Sequence, residues 1–395
     1  MRKDIVTPTD RETRLLARRA GRTPVYVYSR EALRAAVERV RAASVPGAGL
    51  YYSLKANPHP GVVQTLATLV DGFDVCSLAE LETALNAGLA PRKVLFTGPA
   101  KSGEEAAAAL AADVMVTVES PRQAGLFAEA AAELGVTGRG VIRLNTPYPG
   151  RTSGADPSQN QFGVAQEDLA EVVDILRASP LSVAGLQLFW GSQYADADVI
   201  LAARKTMEEQ ARACVDRFGL QVEFVSIGGG IAMPWCDADP EVDWAGLAAA
   251  GLDAAAVDGA DAEDRLPLVC EYGRSIVGSA GSLLTTVLDT KTIGDRRYVL
   301  VDAGINHVFI ASRLIAGAGR GEPRVRMVGA RPDAATSPAW VTGPLCSQLD
   351  VLAKDVLLPE VEVGDLLLFE GVGAYGPTFS PSGFLSRDKV REIVF

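Results

Sequence analysis

The fold is decided by residues 50–57, Leu50-Tyr51-Tyr52-Ser53-Leu54-Lys55-Ala56-Asn57, and by what repeats after them. Residues 50–54 are apolar and aromatic enough for a buried strand, and the run ends on a lysine. Desolvating an ammonium costs several kcal/mol unless something compensates. One compensation is chemical. Burial lowers the amine pKa and frees its lone pair for Schiff-base chemistry. The other reading is that Lys55 is simply the first exposed residue after a strand. Both stay open on this stretch alone.

Working outward, the same grammar recurs. Apolar runs at 50–54, 73–76, 93–97, 113–117, 140–144, 184–189, 222–227 and 267–271 end in Gly, Asp, Asn or Ser, and Ala/Leu/Glu-rich helical patterns follow most of them. Strands alternating with helices imply parallel strands joined by crossovers, and eight of them predict a closed (β/α)8 barrel. An open doubly wound sheet is the runner-up. Before this region, residues 1–22 are polar and Arg-rich, a surface helix, and residues 24–29 (PVYVYS) read as a strand. After about residue 276 short β-like runs (283–288, 298–302, 325–328, 340–342, 366–369) alternate with Gly/Pro/Asp turns, which predicts an antiparallel β-barrel domain. The strand at 24–29 could join it. The expected organisation is therefore α/β: a barrel over residues 31–275, with 1–30 and 276–395 forming the β domain. Residues 145–160 form a long polar Gly/Pro-rich loop after a barrel strand, on the side where such barrels place function.

Composition narrows the function. A net charge of −11 argues against nucleic acid or an anionic membrane as the main partner. Five cysteines with no CxxC fit a reducing cytosol, and so a cytoplasmic protein, each Cys a small buried hydrophobe or a reactive thiol. Only His59 and His307 are present, which excludes a histidine-rich metal site, and a zinc site finds no clustered Cys. No apolar h-region follows Met1-Arg2-Lys3-Asp4, and no apolar run reaches the roughly 18–20 residues of a membrane span.

In a (β/α)8 barrel the site is built at the C-terminal strand ends. Those ends offer Lys55, Asp74, Arg143, Gly191-Ser192, Gly228-Gly229-Gly230, and Glu271 with Arg274. The set holds an amine nucleophile, a glycine triplet able to present N–H groups to a phosphate, a hydroxyl, two arginines and two carboxylates. A ring cofactor with a phosphate and a protonatable nitrogen would use all of them. Taken singly each has a bland reading: the glycines a tight turn, Glu271-Tyr272-Gly273-Arg274 a surface ion pair, Asp74 the cap of a helix starting near Ser77, Cys346 a buried small residue. Their joint occurrence at successive strand ends favours function.

The order YYSLKAN, FDVCSLAELETAL, IRLN, QFGV, GSQ, GGG, EYGR, DAG, GPLCSQLDVL, GD and GAYG resembles the fold-type III pyridoxal phosphate decarboxylases, the diaminopimelate and ornithine decarboxylase group, over nearly the whole chain. The resemblance implies an alanine racemase-like barrel and a pyridoxal 5'-phosphate joined to Lys55. Glu271 would keep the pyridine nitrogen protonated. Gly228, Gly229, Gly230, Ser192, Arg274 and Tyr375 would hold the phosphate, with Asp74 and Arg143 near the Schiff base and ring. In a head-to-tail homodimer, Cys346 of the partner subunit would protonate the carbanion left by CO2.

The chain also departs from that pattern. Where the family has a histidine stacked on the cofactor, in HxHxGS, the matching run is Leu186-Gln187-Leu188-Phe189-Trp190-Gly191-Ser192 and Phe189 takes the stacking position. The acidic residue after the cysteine, which reads a distal amine, is Ser347; the lysine before FG is Gln161; EPGR has become EYGR. The aromatic Phe189, the Cys346-Ser347 pair and the FSP…FL ending (Phe379 to Leu385) resemble the butirosin-type decarboxylases, which act on amino acids tethered to an acyl carrier protein in antibiotic and related pathways. Arg313, Arg320, Arg324, Arg326 and Arg331, with Glu322 alone among them, could steer an acidic carrier or be a solvated edge. Decarboxylation of a free amino acid and a silent cofactor-binding relative are the alternatives. Retention of Lys55, Glu271 and Cys346 together speaks against the silent one, and GPLC speaks against a racemase.

Overall fold

The computed structural model describes residues 7–145, 160–257, 266–309 and 321–395. The loop expected at 145–160 thus lies almost entirely outside the described residues. The chain divides into two compact units. One comprises Val37–Ala232 and Val242–Gly273; the other comprises Met1–Ala36, Met233–Glu241 and Arg274–Phe395.

In the first unit every expected apolar run becomes a strand: β2 (Gly49–Ser53), β3 (Gly72–Val75), β4 (Val94–Phe96), β5 (Met115–Val118), β6 (Gly138–Arg143), β7 (Leu181–Gln187), β8 (Phe224–Ser226) and β9 (Leu268–Tyr272). They pair in sequence order, all parallel, and β2 pairs with β9, so the sheet closes into a barrel and the open-sheet alternative falls. Local chemistry starts the helices between them. Ser77 caps α4 (Leu78–Asn86) by accepting the Glu80 N–H, and Ser102 with Glu105 forms a capping box on α5 (Gly103–Ala111). Ser120 and Pro121 open α6 (Pro121–Leu134), which ends on Gly135 with φ +64°.

Period-2 alternation along the strands builds the barrel interior in layers. Tyr51, Leu95, Met115, Val141, Phe224 and Val269 pack together as one apolar layer. Gly72 belongs at the same level, where a Cβ would lie 2.4 Å from the Tyr51 ring. Two residues further along each strand toward its C-terminal end stand Ser53, Asp74, Thr97, Thr117, Arg143, Gln187, Ser226 and Glu271. One position per strand thus changes from apolar to polar together.

The second unit is an eight-stranded sheet in the order β12-β15-β10-β11-β13-β14, with β1 paired to β10 and β16. The strands are β1 (Val25–Tyr28), β10 (Gly281–Ile293), β11 (Arg296–Val301), β12 (Val325–Met327), β13 (Ser337–Thr342), β14 (Val351–Leu358), β15 (Leu366–Glu370) and β16 (Arg391–Val394). The expected N-terminal strand does join this domain. Two pairings, β1 with β16 and β11 with β13, are parallel, so the sheet is mostly rather than wholly antiparallel. Helix α1 (Asp10–Ala20) packs Leu16 and Ala20 against Val25, Val27, Leu284 and Leu368. Arg326 pins it by pairing with both Asp10 (2.6 Å) and Glu370 (2.8 Å).

Candidate active site

Within the polar layer, Thr97, Gln187, Ser226 and Glu271 form a connected network. Gln187 Nε2 donates to Glu271 Oε1 (2.8 Å) and lies 3.4 Å from Thr97 Oγ1, while Ser226 Oγ donates to the same Glu271 oxygen (2.6 Å). Burial and the Asp74 carboxylate raise the Glu271 pKa to about 7, while the Ser226 and Gln187 hydrogen bonds and the Lys55 ammonium oppose the rise. Asp74 is buried, and its Oδ1 has no hydrogen-bond partner among the described residues. It does not cap α4; Ser77 does.

Arg143 is buried and paired with Glu119 (3.2 Å), and its guanidinium lies 4.6 Å from the Phe162 ring centre. Glu119 Oε2 also accepts the Gly163 N–H (2.9 Å), so one carboxylate ties Arg143 and residues 162–163 to the end of β5. Nearby Lys101 is a buried amine given three acceptors: the Gly98 carbonyl (2.5 Å), the Thr117 carbonyl (3.1 Å) and Thr117 Oγ1 (3.1 Å). Burial pushes its pKa down to about 8.

Of the two readings of Lys55, the structure matches the exposed residue after a strand rather than the buried amine. The strand ends at Ser53, and a single turn, Leu54–Ala56, buries Leu54 and Ala56 and leaves Lys55 exposed. Its charge still acts on Glu271, Glu80 and Cys76. Position at the strand end, not burial, singles this lysine out.

The loops after β7 and β8 interlock. Gly228 (φ +62°) and Gly230 (φ +86°) take left-handed backbone, and a Cβ on Gly230 would lie 2.2 Å from the Gly191 carbonyl. Among the described residues no protein acceptor takes up the N–H of Gly229 or Gly230. Ser192 is exposed beside this cradle in sequence, and Phe189 is 42% exposed.

In the second unit Arg274 faces Tyr375 (5.0 Å) and Trp235 (5.9 Å), and its buried Nε has no protein partner among the described residues. Tyr375 holds left-handed backbone (φ +56°), strained for a tyrosine. Cys346 is the exposed cysteine; Cys214, Cys236 and Cys270 are buried and Cys76 is half-buried. Asp350 shapes the Cys346 loop by accepting the Ile305 N–H (2.8 Å) and the Leu345 N–H (2.7 Å). Among the described residues, the arginine cluster is not a free basic edge. Arg313 and Arg320 lie outside the described residues. Arg324 bonds Asp237 and the carbonyls of Pro234 and Cys236, and Arg326 is paired as described. Arg331 alone of the described three is strongly exposed, 4.0 Å from Asp333.

The model of the pyridoxal-binding domain of pyridoxal-dependent decarboxylases matches residues 30–278. The chain belongs to this family. The decarboxylase is 31% identical over 378 residues to the diaminopimelate decarboxylase of Helicobacter pylori, covering 94% of this chain and 90% of that protein. It is 28% identical over 386 residues to the L-glutamyl-(BtrI acyl-carrier protein) decarboxylase of Niallia circulans, covering 94% and 88%. The crystal structure of the H. pylori diaminopimelate decarboxylase complexed with L-lysine superposes with a TM-score of 0.81 at 30% identity, over 97% of this chain and 94% of that one. The protein is thus a carboxy-lyase that uses pyridoxal 5'-phosphate.

The residues present fit that cofactor. N–H groups without protein acceptors at Gly229 and Gly230 suit a phosphate. A carboxylate with one open oxygen suits a protonated ring nitrogen. Sequence reasoning missed Gln187, Ser226, Glu119, Lys101 and Asp350. The signal for Gln187 and Ser226 was available: each lies two residues beyond an inward-facing position of its strand. Among the described residues no group of His, Cys, Asp and Glu could hold a metal, and no helix is long and apolar enough to cross a membrane.

Proposed function

We propose that this decarboxylase removes the α-carboxylate of an aminoacyl group carried as a thioester on an acyl carrier protein. The observation that carries the reading is Ser347. It follows Cys346 where the resembling enzymes of free diamino acids place an acid. Its hydroxyl is engaged locally, accepting the Leu349 N–H (3.2 Å), as a turn-forming serine does. No carboxylate stands there to read a distal ammonium. Phe189, in place of the stacking histidine, and the relationship to a carrier-linked glutamyl decarboxylase support the same reading.

Bound pyridoxal phosphate supplies a protonated ring into which the electron pair left by CO2 is delocalised. Lys55 holds the cofactor through its amine. Glu271 keeps the ring nitrogen protonated through an opposite charge. Gly228, Gly229, Gly230, Ser192, Arg274 and Tyr375 bind the phosphate. Asp74 and Arg143 would lie near the amine and ring of the cofactor, and Phe189 would take the stacking position. The β domain contributes to the site in a cytoplasmic homodimer, and the thiol of Cys346 of the partner subunit returns a proton to the α-carbon.

Diaminopimelate is the second reading, favoured by the 31% identity to the H. pylori enzyme. CO2 release measured with carrier-bound glutamate or aspartate beside free diaminopimelate, lysine and ornithine separates the two. Faster turnover of a carrier-bound form is expected. Equal or faster turnover of a free amino acid would defeat the carrier reading.

A further inference from the structure

Gln187 is a buried amide at the end of a strand, in the middle of the polar layer, with no role so far. Its neighbours in register are Arg143 on β6 and Ser226 on β8. Its Nε2 donates to Glu271 Oε1 at 2.8 Å, the oxygen that Ser226 Oγ reaches at 2.6 Å. Ser226 is held in that role, because its Oγ also accepts the Gly228 N–H (3.3 Å) and so points its proton at Glu271. Among the described residues no protein donor reaches Glu271 Oε2. The other half of the Gln187 amide, Oε1, is buried with no partner. An unpaired buried carbonyl is costly, and turning the amide over would set oxygen against the carboxylate. The barrel therefore keeps one end of the amide unsatisfied and gives the donor end to Glu271.

The geometry points to Gln187, with Ser226, as the positioning pair of Glu271: they occupy Oε1, fix the plane of the carboxyl, and leave Oε2 as its one open acceptor. This rests on the assignment of Glu271 to the ring nitrogen proposed above. The charged and titratable groups acting on Glu271 are Lys55 and Tyr51 from β2 and its following turn, and Asp74 and Cys76 from β3 and its following loop. Asp74 opposes ionisation and Lys55 favours it. The two donors on Oε1 add to the Lys55 side. Without them the carboxyl holds its proton to higher pH, and its open oxygen serves the ring less well.

The test uses Gln187→Leu and Ser226→Ala, with Glu271→Gln as the reference. In the cofactor-free protein, the infrared band of a protonated carboxyl that disappears in Glu271→Gln reports Glu271. Its titration midpoint should move up by about one pH unit in either variant, a tenfold change in ionisation. An unmoved midpoint in both variants overturns the inference, and Ser226→Ala carries the same prediction should Gln187→Leu fold poorly. In the loaded protein, the pH dependence of the cofactor absorbance should shift the same way and vanish in Glu271→Gln. If Glu271→Gln leaves that dependence intact, the ring-nitrogen assignment fails, while the cofactor-free titration still decides the role of Gln187.

Discussion

Gly229 stands against the backbone of Glu271: a Cβ on the glycine would lie 1.8 Å from the Glu271 carbonyl oxygen. The strand cannot step aside freely, because the Glu271 N–H is held by the Gly228 carbonyl (2.8 Å). Closeness between the loop after β8 and the end of β9 is thus built into the backbone. Gly229→Ala should lower cofactor affinity at least about tenfold, since separating these segments displaces the carboxylate and the N–H cradle together. Gly103→Ala, where a Cβ meets nothing within 4 Å, is the control and should bind normally. Absorbance titration with pyridoxal phosphate measures both.

Glu271 also makes stability depend on pH. Its pKa in the folded chain is raised from 4.5 to about 7. Between these values the folded cofactor-free protein holds a proton that the unfolded chain has lost. The stability from this group is therefore complete below about 4.5 and lost as pH rises through about 7. The difference in unfolding free energy between the wild type and Glu271→Gln should fall by on the order of 2–3 kcal/mol across that window. Urea unfolding of the cofactor-free proteins at several pH values checks it.

Lys101 carries the opposite sign. Its folded pKa is lowered from 10.5 to about 8, so the contribution of this group grows as pH rises between them. Lys101→Met leaves the Gly98 carbonyl and two Thr117 oxygens without their donor, a loss of about 2–4 kcal/mol near neutrality. The deficit relative to wild type should widen from pH 8 to 10 in thermal unfolding.

Asp350 should control the thiol without touching it. Asp350→Ala orphans the N–H groups of Ile305 and Leu345 and should cost about 2–3 kcal/mol. Loosening of the 343–350 loop should appear as a faster reaction of Cys346 with a disulfide reagent, read against Cys346→Ala. Unchanged thiol kinetics would mean the loop is held by other bonds.

Much of this fold could be read from the residues. The eight barrel strands are mostly apolar and mostly buried, so their pattern reports burial directly. β14 and β16 went unread because Lys354, Asp355, Arg391 and Glu392 interrupt their apolar residues, as edge and half-exposed strands allow. The polar residues at the strand ends were legible from position. What the chain order hid was partnership. Arg324 and Arg326 look like a basic patch until Asp237, Asp10 and Glu370 meet them from 87, 316 and 44 residues away. The sequence left the exposure of Lys55 undecided, because one turn after Ser53, not the strand itself, sets its direction.

The central claim is that Lys55, at the end of β2, is the amine that holds the cofactor. Lys101 offers a demanding comparison, since it is the buried lysine that the pKa argument alone would have chosen. Borohydride reduction of the loaded enzyme, followed by peptide mass spectrometry, identifies the modified lysine. The account predicts the reduced cofactor on the peptide bearing Lys55, and no label on any lysine in Lys55→Ala. Label on Lys101, or undiminished labelling of Lys55→Ala, would contradict it.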